Sequence, residues 1–233
     1  MNLHYLPEFS ESEPLLFGPE AHHAINVLRH QPGDVLHITN GKGTRYDCMI
    51  ISAGRSECRL SVTNITHSER QPEGIHIAVG ILKNSDRMEW LVEKVTEIGA
   101  TSISFLRSEH IERDTINRER LQRSAVSAIK QSGRLWIPEI LGPLNFNESL
   151  THTAPNRFIA SANHKEAGRL IDLAPATGDV LVLIGPEGDF STSEFNLAVD
   201  KGLLPVSLGP ATLRTETAAM VAVAAMNMAR GSR

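Results

Sequence analysis

Residues 208–230 read LGPATLRTETAAMVAVAAMNMAR, a loop with one arginine and one glutamate that runs directly into an apolar segment. Every residue from Ala218 to Met226 is Ala, Met or Val, and no charge follows Glu216 until Arg230. A helix at a protein surface keeps a polar face toward water, and this segment offers none. The pattern therefore predicts a buried helix with Arg214 and Glu216 at its start.

Upstream of this stretch, short apolar runs alternate with helical patterns. The runs IHIAVGIL, SISFL, RFIAS, VLVLI and PVSLG occupy residues 75–82, 102–106, 157–161, 180–184 and 205–209. An amphipathic helix is predicted over 85–99, with Gly99 as its stop, and a long basic helix is predicted to end near Gly133. Strands alternating with helices in this way predict an α/β fold with a parallel sheet covered on both faces.

The N-terminal region has a different rhythm. Three runs of alternating apolar and polar residues begin at Asp34, separated by turns at Asn40-Gly41 and Gly54, and predict an antiparallel β-meander. A short helix is predicted before it, between Gly18 and Pro32. The polar stretch at 67–74 has no periodicity and predicts a linker. The sequence thus predicts two domains, a small barrel-like domain at 1–70 and an α/β domain at 74–233.

Composition and charge limit the classes of protein to which this chain can belong. The formal net charge of −4 provides no global basic field for nucleic acid, so any RNA contact has to come from local patches. The sequence shows neither a signal-peptide pattern nor an apolar run of membrane-spanning length, which predicts a soluble cytoplasmic protein without a membrane partner. Cys48 and Cys58 lack metal-site or disulfide-framework spacing and are interpreted as ordinary strand residues.

Two glycine-bearing loops follow predicted strands in the second half of the chain. The first loop, GPEGDFS, covers residues 185–191, and the second loop, LGPATLRTET, covers residues 208–217. Ligands of open α/β sheets bind where such strands end. Ser191 and Glu194 have capping-box spacing and predict the start of a helix. One such loop alone is typical of a tight turn, but two of them, with charged residues at the mouth of a buried helix, predict a binding site.

The motifs resemble the SPOUT-class, or α/β-knot, RNA methyltransferases, and within that class the RsmE-type 16S rRNA uracil-N3 methyltransferases. The matching segments follow one another along the chain as HHAINVLR, KNSDRMEWLVEKVTEIG, SEHIER, AIKQSGR, LIGPEGDFSTSE and LGPATLRTETAA. The resemblance implies a trefoil-knotted C-terminal domain that binds S-adenosylmethionine and forms a homodimer. It also implies a PUA-like RNA-binding module at the N-terminus and a terminal helix buried by its own sheet and by the partner subunit.

The same resemblance assigns cofactor contacts to both loops. The residues carried over by motif are Gly185, Pro186, Glu187, Gly188, Leu208, Gly209, Leu213, Arg214, Thr215 and Ala218. The chain departs from the family pattern at two places. Asp189 stands where the first loop often has a second glycine, and Ser161-Ala162-Asn163-His164, called the third segment below, replaces a histidine-proline pattern. No cofactor contact is therefore carried over to the third segment.

The implied reaction needs two kinds of catalytic group. N3 of uridine carries a proton at neutral pH and becomes a good nucleophile only as that proton leaves. Arg214 is the candidate that stabilises the developing uridinate, and Glu187 or Glu216 is the candidate proton acceptor. Pairing of Glu216 with an arginine is an equally open interpretation. Because N3 lies on the Watson–Crick edge, the target uridine has to be unpaired while it reacts.

Candidate RNA contacts lie in three places. In the N-terminal domain they are Arg29, Lys42, Arg45, Arg55 and Arg59. Residues 107–134 concentrate basic side chains, with Arg107, Arg113, Arg118, Arg120, Arg123, Lys130 and Arg134 against Glu109, Glu112, Asp114 and Glu119. Lys83 and Arg87 follow the first strand of the α/β domain and are candidate substrate contacts or ordinary charges at a helix start. A basic run is often a solvated helix face, and the resemblance favours phosphate binding here.

Other site types fit less well. The adjacent His22 and His23 point about 100° apart on a helix and have no third ligand at a useful spacing, so no metal site is predicted. The glycine-rich stretch at 40–44 has Gly43 where a phosphate loop requires Ser or Thr, and it is a hairpin turn. Two alternatives remain open: a noncatalytic RNA-binding or ribosome-assembly factor on the same fold, and a knotted methyltransferase that acts on tRNA.

Overall fold

A computed structural model of the chain describes residues 3–54, 57–111, 114–164 and 167–231. Arg55 and Arg113, two of the candidate RNA contacts, lie outside the described residues. Contacts divide the chain into two compact units. The first unit combines Met1–Arg70 with Val126–Ile137, and the second combines Gln71–Ala125 with Pro138–Arg233.

The first unit contains a five-stranded sheet. Its elements are β1 (Leu3–Tyr5), β2 (Leu15–Phe17), α1 (Gly18–His22, continued by a π-helical turn at His23–Val27), β3 (Val35–Thr39), β4 (Thr44–Ala53) and β5 (Glu57–His67). The strand order is β1-β3-β4-β5-β2, and the antiparallel meander of β3, β4 and β5 is confirmed. The sequence did not predict β1 and β2, because three residues are too few to display a period.

The core of the first unit follows the alternation of its strands. Leu36 and Ile38 on β3 and Cys48 and Ile50 on β4 are almost fully buried, together with Leu16 on β2. Their neighbours along each strand point away from this core, as expected for a period of two. The Cys48 thiol is free, and burial raises its pKa to about 12. This thiol therefore behaves as a small apolar side chain, as the sequence predicted.

The second unit contains the remaining elements. They are β6 (Ile75–Gly80), α2 (Ser85–Ile98), β7 (Ser102–Arg107), α3 (Arg118–Ser132), β8 (Glu139–Asn145), α4 (Phe146–Ser149), β9 (Asn156–Ala160), α5 (Leu170–Leu173), β10 (Val180–Ile184), α6 (Thr192–Asp200), β11 (Leu204–Val206) and α7 (Thr215–Ala229). Residues of α3 from Val126 onward group with the first unit. The capping box at Ser191 and Glu194 and the left-handed stop at Gly99 are both confirmed.

The six strands of the second unit form one parallel sheet in the order β11-β9-β10-β6-β7-β8. The predicted α/β class with a parallel sheet is therefore confirmed. Ile184 at the end of β10 lies opposite Ala160 at the end of β9, and Val206 at the end of β11 also lies opposite Ala160. Because parallel strands end at the same edge, the segments that follow β9, β10 and β11 all begin there.

The terminal helix α7 has one face in the core. Ala219, Ala222, Val223 and Met226 are fully buried, and the helix contacts α2, β6, β10 and α5. Burial of a Val or Met side chain contributes about 1.5–3 kcal/mol. The opposite face is only partly covered in a single chain, and Met228 is 73% exposed. Across the described ranges, no helix is both long and apolar enough to cross a membrane.

Candidate functional site

A cavity of about 300 Å³ lies at the edge where β9, β10 and β11 end. This volume is at the lower end of the range of ligand pockets. Most of its lining comes from the third segment, the first loop and the second loop, together with the strand ends before them and Arg87 of α2. The lining residues are Arg87, Ala160, Ser161, Ala162, Ile184, Gly185, Pro186, Glu187, Asp189, Val206, Ser207, Leu208, Gly209, Ala211, Thr212, Leu213, Arg214, Thr215 and Ala218.

Most of the cofactor residues predicted from the motifs lie around this cavity. They are Gly185, Pro186, Glu187, Leu208, Gly209, Leu213, Arg214, Thr215 and Ala218. Gly188 is not among the lining residues; a Cβ at that position would lie 3.0 Å from the Cβ of His110. The structure adds Ser161, Ala162 and Asp189, which the family pattern did not assign. The sequence signal that could have identified them is their position after predicted strands, where ligands of α/β sheets bind.

Glycine is required where the first loop approaches its neighbours. A Cβ on Gly80, the last residue of β6, would lie 2.5 Å from the backbone nitrogen of Pro186. A Cβ on Gly185 would lie 2.7 Å from Oδ1 of Asp189. Such distances are shorter than any real contact to backbone or a fixed carboxylate. The first loop therefore folds tightly over the end of β6 only because both positions lack a side chain.

Arg87 connects the start of α2 to both loops. Its Nε donates to Oε1 of Glu216 at 3.0 Å and its Nη2 donates to Oε2 of the same carboxylate at 2.5 Å. Its Nη1 donates to Oε1 of Glu187 at 2.8 Å. A planar guanidinium suits this two-point recognition of a carboxylate, which a lysine could not reproduce. Arg87, predicted as a possible substrate contact, thus holds one carboxylate from each loop.

The ion pair fixes the charge of both partners. Burial alone would raise the pKa of Glu216, whose side chain is 9% exposed, but hydrogen bonds from Arg87 and its own backbone N–H, together with the charges of Arg87 and Arg214, lower it. The pKa of Arg87 is raised, first by its hydrogen bond to Glu216. Glu216 is therefore held as an anion at neutral pH.

Arg214 occupies a different environment at the cavity. It is the N-cap residue of α7, in an extended conformation, and its side chain makes no capping hydrogen bond. The residue is exposed and lines the cavity. The positive end of the α7 dipole adds to its charge at this point. The start of α7 therefore places the cationic side chain of Arg214 at the cavity.

The candidate RNA contacts differ in exposure. In the first unit, Arg29, Lys42 and Arg59 are exposed, whereas Arg45 lies 3.0 Å from Oδ1 of Asp47 in an ion pair. In the second unit, Lys83 is exposed.

Within the basic run, Arg107, Arg118 and Arg123 are exposed. Arg120 is paired with Asp86 and Glu89. Arg134 is half-buried, and burial lowers the pKa of its guanidinium.

The histidines of α1 and the π-helical turn were examined in the sequence as metal ligands. His23 does have partners that sequence spacing concealed: ligand atoms of His4, Glu20 and His23 lie within 4.8 Å of one another. The carboxylate of Glu20 is shared, with Oε2 2.9 Å from His4 Nδ1 and Oε1 accepting from Lys130 Nζ at 2.6 Å. The ammonium group of Lys130 on the same carboxylate would compete electrostatically with a metal cation, and the expectation of no metal site stays a prediction.

Comparison with known proteins identifies the family. Residues 69–227 match the model of an RNA methyltransferase domain, and residues 18–63 match the model of an RNA methyltransferase PUA domain. The chain belongs to the RNA methyltransferase family. The prediction of an RNA methyltransferase with an N-terminal PUA-like module is therefore confirmed, and the catalytic family domain is the one that contains the cavity.

Individual family members are similar over most of the chain. Ribosomal RNA small subunit methyltransferase E of Mycobacterium bovis is 32% identical over 225 residues, covering 91% of this chain and 84% of the relative. The protein of the same name from Synechocystis is 29% identical, covering 93% of this chain and 73% of the relative. The specific resemblance read from the motifs is thus confirmed.

Solved structures of family members have the same fold. A crystal structure of a probable rRNA-methyltransferase from Porphyromonas gingivalis superposes with a TM-score of 0.87 and 42% identity, covering 96% of this chain and 95% of the other. A ribosomal RNA small subunit methyltransferase E from Neisseria gonorrhoeae, bound to S-adenosyl methionine, gives a TM-score of 0.84 and 29% identity, covering 98% and 97%. Both units of the chain are therefore represented in these family members.

Proposed function

We propose that this methyltransferase transfers a methyl group from S-adenosylmethionine to N3 of one uridine in 16S rRNA of the small ribosomal subunit. Family members are named for the small-subunit rRNA, and one of them holds the cofactor in its crystal structure. The observation that carries the proposal is the cavity formed jointly by the first and second loops. Such a substrate would place the protein in the cytoplasm.

The lining of the cavity fits this cofactor. Ile184, Val206, Leu208 and Leu213 supply apolar surface for a planar base, while the small Ala218 leaves room beside them. The loops supply backbone N–H and C=O groups where side chains are absent. S-adenosylmethionine supplies an electrophilic methyl group on a sulfonium. Gly185, Pro186, Glu187, Leu208, Gly209, Leu213, Arg214, Thr215 and Ala218 are the residues that would hold it.

Arg214 is assigned to stabilise charge on the substrate. As the N3 proton leaves, negative charge develops on the uracil ring, and a preorganised cation next to it lowers the barrier. Arg214 is exposed at the cavity and sits at the positive end of α7. Orientation of the base against the methyl donor supplies a further part of the rate.

Glu216 is assigned to position the site instead of accepting the proton. A general base is most effective when its pKa lies near the working pH. The pKa of Glu216 is lowered, and both of its carboxylate oxygens accept hydrogen bonds from Arg87. Glu187 is the better candidate acceptor, because its side chain is 41% exposed, it lines the cavity and it shares one oxygen with Arg87.

The RNA contacts are assigned to exposed basic residues. The target uridine has to leave its base pair to expose N3, which requires the flanking RNA to be held elsewhere on the protein. Arg29, Lys42 and Arg59 are the exposed candidates in the first unit, the one that contains the PUA match. In the second unit the exposed candidates Arg118 and Arg123 lie on α3.

We further propose that the protein acts as a homodimer through α7. Thr217, Met220, Val221 and Ala224 recur at helical spacing on its half-exposed face, and the exposed Met228 continues the same stripe. A large apolar stripe on the surface marks an interaction site. The opposite face of α7 already packs in the core. Contact with α7 of a second copy would bury the outer face as well, as the apolar sequence of the helix predicted.

The function is tested with the natural substrate. Purified protein and methyl-labelled S-adenosylmethionine are incubated with small ribosomal subunits from a strain that lacks this gene, and the labelled nucleoside is identified by mass spectrometry. Label in 3-methyluridine of 16S rRNA is the expected result. Label in another nucleoside, or in tRNA offered as a competitor, would overturn the assigned substrate. Absence of both labelling and cofactor binding would support a noncatalytic RNA-binding factor.

A further inference from the structure

Asp189 adopts an unusual backbone conformation in the first loop. Its φ is +61°, in the left-handed region that glycine occupies at no steric cost and that Asp and Asn tolerate better than most residues. The residue lines the cavity. A glycine would satisfy the backbone here more easily, so the presence of a carboxylate calls for a reason beyond the turn itself.

The carboxylate makes two sets of hydrogen bonds. Oδ1 accepts from the backbone N–H of Phe190 at 2.8 Å, which is a local bond within the first loop. Oδ2 accepts from Ser161 Oγ at 2.8 Å, from the backbone N–H of Ala162 at 3.0 Å and from Asn163 Nδ2 at 3.2 Å. The bond within the first loop uses only Oδ1. Oδ2 accepts all three of its hydrogen bonds from the third segment.

The third segment depends on this oxygen for its shape. Ser161 and Ala162 line the cavity at the end of β9. The Oγ of Ser161, which donates to Asp189, in turn accepts from the backbone N–H of Asn163 at 3.2 Å. Hydrogen bonds to a charged acceptor are stronger than neutral ones. One side chain of the first loop therefore holds the wall of the cavity that a different strand contributes.

We propose that Asp189 is a positioning residue that holds Ser161 and Ala162 against the cavity and thereby raises the affinity for S-adenosylmethionine. This inference rests on the proposed function, because it takes that cofactor as the ligand. The carboxylate at position 189 and the donor-rich sequence of the third segment are two halves of one contact.

The test compares four single variants and one double variant of the full chain. Asp189→Gly removes the carboxylate while favouring the local backbone, so strain cannot account for a loss. Asp189→Asn keeps the backbone tolerance and one acceptor oxygen. Ser161→Ala removes one donor, and Asp189→Gly/Ser161→Ala removes both partners. Asp200→Asn, an exposed carboxylate on α6, is the matched control.

Each variant is characterised by three measurements. Calorimetry gives the Kd of S-adenosylmethionine, and turnover with small ribosomal subunits as methyl acceptor gives kcat and the KM for S-adenosylmethionine. Hydrogen exchange gives the exchange rate of the Ala162 amide without cofactor. For Asp189→Gly we expect Kd and KM to rise about tenfold, equivalent to about 1.4 kcal/mol, with kcat changed by less than about twofold. The Ala162 amide should exchange faster. Asp189→Asn should be intermediate, and the control should match the wild type.

The double variant separates positioning from general destabilisation. Because Ser161 acts through Asp189, adding Ser161→Ala to Asp189→Gly should raise Kd no further. An unchanged Kd in Asp189→Gly, or a purely additive double variant, would overturn the inference. If the wild type itself fails to bind S-adenosylmethionine, the proposed function falls instead, and the role of Asp189 in cofactor affinity falls with it. Amide exchange at Ala162 then still shows whether the carboxylate holds the segment.

Discussion

Arg87 and Glu216, 129 residues apart in the chain, form a two-point ion pair in which both carboxylate oxygens of Glu216 accept from the guanidinium. The third hydrogen bond of Arg87 goes to Glu187 in the first loop. The start of α2, the first loop and the start of α7 are thereby tied to one side chain. The cavity edge is held by charge as well as by backbone geometry.

Removal of the arginine should destabilise the protein strongly. Glu216 is buried, with a side chain 9% exposed, so Arg87→Ala leaves an unpaired carboxylate in the interior. We expect a loss of about 3 kcal/mol in the free energy of unfolding, measured with urea. Arg120→Ala, which breaks ion pairs to Asp86 and Glu89 from an arginine that is 45% exposed, should lower the free energy of unfolding far less, because water screens exposed charges. Equal losses in the two variants would argue against a buried pair.

The same pair predicts how stability depends on acid. A carboxyl group whose pKa is lowered by folding stabilises the folded state above its unfolded pKa, and this contribution is lost as the pH falls through the folded pKa. The lowered pKa of Glu216 therefore predicts a loss that begins near its ordinary value of 4.5 and continues below it. Between pH 6 and pH 3, the free energy of unfolding should fall less in Glu216→Gln than in the wild type. Parallel curves would contradict the lowered pKa.

Arg214→Ala should strongly slow methyl transfer without affecting the fold. The side chain is exposed and makes no capping bond, so the melting temperature should stay near that of the wild type. Loss of a charge-stabilising donor should lower kcat by about 10²–10³-fold. Arg214→Lys, which keeps the charge, should retain part of the activity. Near-normal turnover in Arg214→Ala would remove its assigned role.

Local signals in the sequence were sufficient for most of the secondary structure. The strand predicted at 180–184 is the observed β10, and the Ser191 capping box starts α6 as predicted. These elements depend on neighbours within four residues, which a single sequence displays directly. The strand β8 was missed because Gly142 and Pro143 interrupt its apolar pattern, and such residues are unusual inside a strand.

Long-range contacts of the site were not predictable in the same way. The sequence predicted two loops at one sheet edge, but it contained no signal that Arg87 would reach both of them. The link between Asp189 and Ser161 spans 28 residues and joins the segments that follow β9 and β10, and each partner taken alone resembles an ordinary turn residue. Pairing of this kind depends on sheet order, which an isolated sequence does not specify.

Disruption of the outer stripe of α7 should convert a dimer to a monomer. Val221 and Met228 lie on the half-exposed face, and replacing both by Glu would put charges into the proposed interface. We expect light scattering coupled to gel filtration to show the mass of one chain for this variant and of two chains for the wild type. The control is Met49→Glu, which changes an exposed methionine on β4 in the first unit; this variant should remain dimeric. A monomeric wild type would contradict the proposal outright.

RNA binding should depend steeply on salt, because each neutralised phosphate releases counterions. Lys42→Ala and Arg59→Ala remove exposed cations from the first unit, and each should reduce the slope of log K against log salt by about 0.7–0.9. Lys94→Ala is the control, since Lys94 is paired with Glu93 and Glu97 on α2. The measurement is fluorescence anisotropy with a labelled 16S rRNA fragment at several salt concentrations. A flat salt dependence in the wild type would exclude phosphate contacts as the source of affinity. If Lys94→Ala reduced the slope as much as the other two variants, Lys42 and Arg59 would not be specific phosphate contacts.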